Sequence, residues 1–210
     1  MTDASVAHPP ACRPRSTAAQ RLFAVAKELF YRQGIRATGV EELCRAAGTT
    51  KISLYRAFPS KDELIASILR DDCEKSACRL DQAFDPALPP RERPGACLAA
   101  AVAALRQPGF RGCPVGLAIA EFPDPTHPAR QVADAHKLQT RENLRRLCAE
   151  AGAADAQLLS DSLLMLIEGA FSSAPYLGNE EAARSLERAG AALLATAFPD
   201  LRPAPEPGKP

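Results

Sequence analysis

TGVEELCRAAGTTKISLYRAFPSK, from Thr38 to Lys61, is the stretch that decides how the rest of this 210-residue chain is interpreted. Thr38 and Glu41 have the spacing of a capping box, which predicts a short helix that begins at Gly39. Gly48 ends that helix, because glycine readily takes the left-handed conformation that closes a helix. The first part of the stretch therefore predicts one helix of about two turns.

A second short helix follows the glycine. Thr49 or Thr50 can cap its first turn, and Pro59 stops it. Helical spacing divides its residues between an inner and an outer face. The apolar positions Leu54, Tyr55 and Phe58 are expected to pack inward, and Thr50, Lys51, Ser53 and Arg56 are expected to stay outside. A second capping box, Ser60 with Glu63, opens a longer helix directly after the proline.

Two short helices joined by a glycine turn are typical of a helix-turn-helix, particularly when the second helix carries hydroxyls and cations on its outer face. A helix about 10 to 12 Å across fits the roughly 12 Å major groove of DNA. The first helix, from about Thr17 to Gln33, has an apolar stripe that would cover the inner side of the motif. The sequence thus predicts a DNA-binding domain over residues 17–63, with the motif at 39–58.

Residues 22–64, LFAVAKELFYRQGIRATGVEELCRAAGTTKISLYRAFPSKDEL, closely resemble the TetR/AcrR-type transcriptional regulators. The shared features are a first helix ending in Phe and then Gly, the Thr before the second helix, the A-G turn, L-Y in the recognition helix, and F-x-x-K-x-x-L after it. Thr49, Ile52 and Ala57 depart from the family pattern, and they concern the operator rather than the fold. The resemblance implies an all-α fold: an N-terminal three-helix helix-turn-helix domain and a C-terminal helical domain for ligand binding and dimerisation.

The resemblance also implies roles for individual residues at a DNA operator. Residues that touch phosphates or sit beside them are expected at Thr38, Lys51, Tyr55 and Lys61. Residues that face base edges are expected at Thr50, Ser53 and Arg56, and apolar contacts with thymine methyl groups at Thr49 and Ile52.

The distribution of charge agrees with this division. Residues 1–63 contain ten Lys and Arg against six Asp and Glu, whereas the remainder contains sixteen against nineteen. The net charge of the whole chain is only +1, which speaks against a DNA-packaging protein that would neutralise phosphates over a broad basic surface. Aromatic residues make up 5% and tryptophan is absent, a composition that favours helices over sheet.

The seven cysteines include no CxxC pair, and no signal-like apolar stretch lies near the N-terminus. We therefore expect reduced thiols in a cytoplasmic protein, without a membrane span and without a metal or other cofactor. Residues 1–16 and 201–210 are proline-rich and are expected to be a disordered leader and tail. Alternatively, the leader is an arm whose Arg13 and Arg15 touch phosphates or the minor groove.

Residues 64–200 are expected to form the regulatory and dimerisation domain. A helix should run from Lys61 towards Ala83, and the proline-rich stretch 85–95 is a candidate boundary. Five further helical stretches are expected at 96–107, 115–122, 128–151, 155–173 and 180–197. Asp124 or Thr126 should cap the third of these, and its basic residues, including Lys137, should form a solvated face.

The last two helices are predicted to hold the dimer together. Residues 163–171 are apolar nearly all round, and the final helix has small residues that let another helix approach closely. The resemblance implies that the same two helices of a second copy cover them. The interface residues expected are Leu163, Ile167, Leu186, Gly190 and Leu193.

The most favoured function is a dimeric repressor that a small molecule releases from a palindromic operator, as the resemblance implies. Candidate ligand-binding residues in the body are Phe110, Cys113, Phe122, Met165, Phe171 and Tyr176. One alternative is a thiol-based redox regulator, because a helix N-terminus and Arg111 near Cys113 would favour its thiolate. Another is an enzyme that uses Glu121, Asp124 and His127, although no base positioned by a third group supports it.

Overall fold

A computed structural model of the protein describes residues 17–198, and within this range the chain is helical with no strand. The predicted leader and the predicted tail both lie outside the described residues. Nine α-helices follow one another in this range: α1 Thr17–Gln33, α2 Val40–Ala46, α3 Lys51–Ala57, α4 Lys61–Asp81, α5 Arg93–Leu105, α6 Pro114–Glu121, α7 Pro128–Glu150, α8 Ala156–Leu177 and α9 Asn179–Ala197. Short 3₁₀ turns at Gln82–Phe84 and Pro90–Glu92 join α4 to α5. The all-α expectation is confirmed for this part of the chain.

The head is formed by α1, α2, α3 and the first half of α4. Leu22, Leu43, Leu54 and Leu64 come from these four helices and are almost completely buried in one core. Gly48 lies in the turn between α2 and α3 with φ at +59°, as the predicted turn requires. The four helices of the head therefore pack around one small apolar core to which each contributes a leucine.

Local capping explains where these helices begin, with one correction. The Thr50 hydroxyl accepts from the Ser53 amide at the start of α3, and the Ser60 hydroxyl accepts from the Glu63 amide at the start of α4. The predicted capping box at Thr38 is wrong, because Gly39 is the N-cap of α2 and provides no side chain. Thr38 is fully buried instead and donates its hydroxyl to the Gly34 carbonyl at 2.8 Å.

Helix α4 belongs to both halves of the molecule. Its first half buries Ile65, Ile68 and Leu69 in the head core, whereas Leu80 near its end packs against the body core. The head core also receives Ala118 from α6 and residues from the first turn of α7. The two cores meet along α4 and α6. These contacts mark no boundary at residue 63, so the proposed division there stays a prediction.

The body is built from α5, α7, α8 and α9, and α8 packs along α9. Its core includes Leu105, Leu144, Leu147 and Leu163. Near its end, α8 contains Pro175 yet continues to Leu177. Pro94 lies in the first turn of α5, where the missing N–H of a proline costs nothing.

The structure corrects two expectations for α7. His127 rather than Asp124 or Thr126 caps the helix, since its Nδ1 accepts from the Ala129 amide at 3.2 Å. The basic stripe is not uniformly solvated either: Lys137 is only partly exposed and forms an ion pair with Glu168 of α8. The next residue, Leu138, is 67% exposed. The inward face of α7 therefore includes Lys137 and leaves Leu138 outside.

No helix among residues 17–198 is long and apolar enough to span a membrane.

Candidate functional site

The outer face of α3 is the first candidate site. The helix has seven residues, and the buried side chains of Leu54 and Phe58 fix it to the head core. Because these two side chains point into the core, the opposite side of α3 is exposed to solvent. The exposed residues are Thr50, Lys51, Ile52, Tyr55 and Arg56, with Thr49 and Ser53 partly exposed beside them.

Two of these side chains are apolar or aromatic. Ile52 is 73% exposed and Tyr55 is 48% exposed. The expectation that Tyr55 packs inward is therefore wrong, whereas its position on the outer face agrees with the role that the family resemblance implies. An exposed isoleucine beside an exposed tyrosine gives α3 a contact surface that is not purely ionic.

Lys51 is held in place before any partner binds. Its ammonium lies 2.7 Å from the Glu41 carboxylate of α2, and this contact lowers the pKa of Glu41. Both side chains are well exposed, so the pair itself adds little stability. Its effect is to orient the lysine at the start of α3, from where it can exchange a carboxylate for another anion.

Two other predicted contact residues face the head itself. Thr38 is buried beneath the surface, so its side chain positions the start of α2 rather than meeting a partner. The Lys61 ammonium donates to the Ile35 carbonyl at 2.8 Å and lies 5.7 Å from the centre of the Phe30 ring. Burial lowers the pKa of Lys61. Both residues therefore support the motif from behind.

A carboxylate at the end of α6 bonds to the head at the turn between α1 and α2. Glu121, the last residue of α6, accepts hydrogen bonds from the backbone amides of Ile35 at 2.9 Å and Arg36 at 2.7 Å. Charge-assisted bonds of this kind are roughly twice as strong as neutral ones. Because both amides lie outside helical hydrogen bonding, Glu121 satisfies donors that the head leaves free.

A second set of contacts joins the other end of α6 to α1. The Tyr31 hydroxyl donates to the Gly112 carbonyl at 3.0 Å and accepts from the Arg111 amide at 2.7 Å. The Arg111 guanidinium donates to the Tyr31 and Arg32 carbonyls at the end of α1. Both ends of α6 are thus bonded to the head. We call the contacts of Tyr31, Arg111 and Glu121 the head–body clamp.

An ionic contact also connects α1 to α4. The Lys27 ammonium lies 2.5 Å from carboxylate oxygens of both Asp71 and Asp72. Burial alone would lower the pKa of Lys27, but the hydrogen bonds to the two carboxylates raise it. Lys75 neutralises Asp71 from the other side at 2.9 Å. These two acids and two bases form a charge-balanced cluster.

The three residues of the enzyme hypothesis have separate structural partners. Glu121 belongs to the head–body clamp. Asp124 accepts from the Thr126 amide, a bond that lowers the pKa of the carboxyl group, and the residue is well exposed. His127 caps α7 and stacks on the Phe122 ring at 4.0 Å between centroids. Each of the three therefore has a local structural role, and His127 Nε2 also lies 3.5 Å from Asp62 Oδ1 at the start of α4.

The body contains a cavity of about 150 Å³ between α4, α5, α7 and α8. Phe110 and Phe171 form part of its wall, with ring centroids 5.1 Å apart. Leu80, Cys97, Ala101, Leu144 and Ile167 give most of the wall an apolar character. The polar residues in the lining are Asp72, Ser76, Cys113, His136, Lys137, Thr140 and Glu168.

An ion pair lies in the wall of this cavity. The Lys137 ammonium is 2.5 Å from Glu168 Oε1 and 3.5 Å from Cys113 Sγ. Burial would lower the pKa of Lys137, but Cys113 and Glu168 raise it, so the amine stays charged. Burial lowers the pKa of the neighbouring His136, and the Lys137 charge adds to this effect. His136 is therefore a neutral ring at pH 7.

Three of the six predicted ligand-binding residues line the cavity: Phe110, Cys113 and Phe171. Met165 lies in a wider adjoining cleft of about 570 Å³, whose wall also includes Cys113, Lys137 and Glu168. Phe122 and Tyr176 line neither space: Phe122 packs against the head core, and Tyr176 is 75% exposed. The structure therefore places neither residue beside these spaces, because aromatic content alone does not tell which side of an element faces a cavity.

Sequence reasoning missed Lys137 and Glu168. Lys137 was assigned to a solvated stripe, and Glu168 was hidden within the apolar run LLMLIEGAF. A single acid in an otherwise apolar helix is the signal that could have found the pair, because a partly buried carboxylate requires a cationic or hydrogen-bonding partner. Cys113 was expected to be near a cation, but the cation is Lys137, since Arg111 is bonded to the head.

The predicted dimer residues lie largely inside the body of one chain. Leu163, Ile167, Leu186 and Gly190 are buried, and Leu193 is partly buried. A Cβ atom at Gly190 would lie 2.2 Å from Leu98 Cδ2, so α5 of the same chain fills the space beside this glycine. Close approach to α5 thus explains Gly190 without a second copy.

Another face of α8 and α9 is uncovered. Leu158, Met165, Gly169 and Tyr176 are exposed along one side of α8 at helical spacing. Ser185, Ala189, Ala192 and Thr196 form an exposed row of small side chains on α9. We call these eight positions the α8–α9 face. Large apolar side chains beside a row of small ones are suited to close helix packing.

Known proteins resemble this chain in sequence. The family of bacterial regulatory proteins described as the tetR family matches residues 22–68. The HTH-type transcriptional repressor KstR2 of Mycolicibacterium smegmatis is 33% identical over 82 residues. That alignment covers 38% of this chain and spans only 40% of the length of the repressor.

Solved structures resemble nearly the whole described chain. A TetR-family transcriptional regulator from Streptomyces coelicolor aligns with a TM-score of 0.82 and 28% identity, covering 86% of this chain and 95% of that one. A putative TetR transcriptional regulator from Streptomyces avermitilis aligns with a TM-score of 0.73 and 33% identity, covering 87% of this chain and 98% of that one. The likeness thus extends from the head through the body.

Proposed function

The chain belongs to the TetR family of transcriptional regulators, and on that premise we propose that it is a dimeric repressor that a small molecule releases from a palindromic operator. The outer face of α3 is the observation that carries the proposal. Lys51, Tyr55 and Arg56 project together from a short helix that is rigidly attached to the head core. A helix of this kind can enter the major groove of DNA and present cations and hydrogen-bonding groups to it.

The residues of α3 and its surroundings contact phosphates, contact bases or support the motif in this proposal. Lys51 and Tyr55 contact phosphates, with Lys51 exchanging Glu41 for a phosphate oxygen. Thr38 and Lys61 act indirectly by holding the start of α2 and the turn before it. Residues assigned to base edges are Thr50, Ser53 and Arg56, and those assigned to thymine methyl groups are Thr49 and Ile52.

The small number of base pairs that one head can contact is the argument for a dimer. A helix of seven residues is about 10 Å long and contacts only a few base pairs. Two heads related by twofold symmetry would double these contacts and read two half-sites about 34 Å apart. The α8–α9 face is the surface we assign to this pairing, since it combines exposed large apolar side chains on α8 with exposed small side chains on α9.

Release by a ligand is supported by the connection between cavity and head. The cavity is lined at the start of α6 by Cys113, Pro114 and Val115. At the other end of α6, Glu121 accepts two hydrogen bonds from the turn between α1 and α2. A ligand that displaces the start of α6 therefore acts on the head through one short helix. A small rotation of each head changes the separation of the two recognition helices, which lowers operator affinity.

Substitutions on α3 test the assignment to DNA. Arg56→Ala should relax sequence preference by roughly 1 to 3 kcal/mol at one base position, because a cation that pairs with a base edge is lost. Tyr55→Ala should weaken binding to every duplex by a similar factor, because a phosphate contact carries no sequence information. Fluorescence anisotropy with the operator, single-base variants and unrelated DNA at two salt concentrations would measure both effects.

Arg184→Ala is the matched control, since this exposed arginine lies on α9 and pairs with Glu181. It should leave both affinity and preference unchanged. An Arg56→Ala protein with the sequence preference of the native one would contradict the base-edge role.

Substitutions on α9 test the dimer surface. Ala192→Glu should give a monomer with near-native unfolding, because it places a charge in the α8–α9 face and removes no contact within the chain. Gly190→Glu should instead lower the free energy of unfolding by several kcal/mol, since its side chain would collide with buried Leu98. Sedimentation and denaturant unfolding distinguish the two variants. A stable dimer of the Ala192→Glu protein would move the interface elsewhere.

A thiol-based regulator is a second candidate, which the Lys137 ammonium 3.5 Å from Cys113 Sγ favours. The thiolate of Cys113 would attack hydrogen peroxide, forming a sulfenic acid and releasing hydroxide. On this hypothesis peroxide abolishes operator binding, and a Cys113→Ser variant resists it whereas a Cys78→Ser variant does not. Equal sensitivity of the Cys113→Ser and native proteins would exclude this mechanism.

A further inference from the structure

The ion pair in the cavity wall offers a ligand both a donor and an acceptor. An ammonium has three hydrogens, and Lys137 uses two of them on Glu168 and Cys113. Glu168 retains lone pairs beyond the one that Lys137 occupies. A hydroxyl group can accept from Lys137 and donate to Glu168 at the same time, without separating the pair.

The charges around the cavity balance one another. Glu168 is neutralised by Lys137, and Asp72 belongs to the cluster in which Lys27 and Lys75 neutralise two acids. The remaining titratable groups that line the cavity are Cys113 and His136, and His136 is neutral. Arg111 lines the adjoining cleft, where its guanidinium donates to the Tyr31 and Arg32 carbonyls. An anionic ligand would therefore oppose Glu168, and a cationic ligand would oppose Lys137. Either charge would be desolvated without a free partner.

The dimensions of the cavity limit the apolar part of the ligand. An apolar protein cavity of about 150 Å³ is large enough for one benzene ring, and the volume here is about 150 Å³. Phe110 and Phe171 are aromatic walls, and Leu144 and Ile167 are aliphatic ones. The wider cleft beside Met165 adjoins the same ion pair and leaves space for a substituent.

We propose that the effector is a neutral, single-ring compound with a hydroxyl group, whose ring lies between the apolar walls and whose hydroxyl bridges Lys137 and Glu168. This inference rests on the proposed function, because it assigns the chemical class of the molecule that releases the repressor. It assigns Lys137 and Glu168 as the residues that determine ligand specificity. A carboxylate or ammonium in place of the hydroxyl is disfavoured by charge.

Titration calorimetry of the full chain without DNA tests the proposal with four probes of similar size: phenol, toluene, benzoate and benzylamine. Phenol should bind about 10-fold or more tightly than toluene, because hydrogen bonds to charged groups contribute differences of that order. It should also bind more tightly than benzoate and protonated benzylamine. Equal binding of toluene, tighter binding of either charged probe, or no binding of phenol would overturn the proposal.

Glu168→Gln provides the sharper test, since it keeps the size of the side chain and leaves Lys137 without its counter-charge. In this variant benzoate should overtake phenol, which reverses the native order. Asp161→Asn is the matched control, because Asp161 also lies on α8 and pairs with Arg141 of α7 but does not line the cavity. It should keep the native order of probes, and the native order in the Glu168→Gln protein would refute the charge argument.

Lys137→Met supplies a second variant that does not depend on the first. It leaves Glu168 without its counter-charge, so protonated benzylamine should overtake phenol, and the native order of probes in this variant would overturn the role of Lys137. Operator binding of the ligand-free protein is measured separately by anisotropy. A protein that binds its operator but fails the probe tests loses only the ligand inference, whereas failure to bind any operator removes the proposed function itself.

Discussion

The carboxylate of Glu121 and the two amides of Ile35 and Arg36 are the contact on which the coupling of this molecule depends. These bonds fix the turn between α1 and α2, and that turn sets the direction in which α2 and α3 leave the end of α1. Helix α6 has eight residues and is about 12 Å long, with Glu121 at its end and cavity-lining residues at its start. The same short helix is therefore both a wall of the cavity and a support of the head.

Most of the head could be predicted from the sequence because its determinants are local. Thr50 and Ser60 cap the helices that follow them, Gly48 takes the left-handed conformation, and the leucines repeat at helical spacing. Thr38 shows the limit of this reasoning. Its spacing with Glu41 satisfies the capping pattern, but the Gly34 carbonyl lies within reach of the same hydroxyl, and Lys51 pairs with the carboxylate. A motif identifies candidate partners, and the fold chooses among them.

The body was less predictable because its features depend on which helices meet. Gly190 has the appearance of an intermolecular contact, but Leu98 of the same chain fills that space. Lys137 and Glu168 are 31 residues apart and come together only when α7 packs on α8. The helices themselves were recognisable from periodicity and prolines, whereas a polar centre made by two of them requires their relative rotation. The same rotation decides that the uncovered side of α8 carries Met165 rather than Leu163.

Amide hydrogen exchange at Ile35 and Arg36 tests the coupling between body and head most directly. The account predicts that Glu121→Ala accelerates exchange at both amides by roughly 10-fold or more, because two donors lose their charged acceptor. Asp124→Ala removes a nearby exposed carboxylate that bonds only Thr126, and it should leave both rates unchanged. Native exchange rates in the Glu121→Ala protein would contradict the account, since the head would then be held independently of α6.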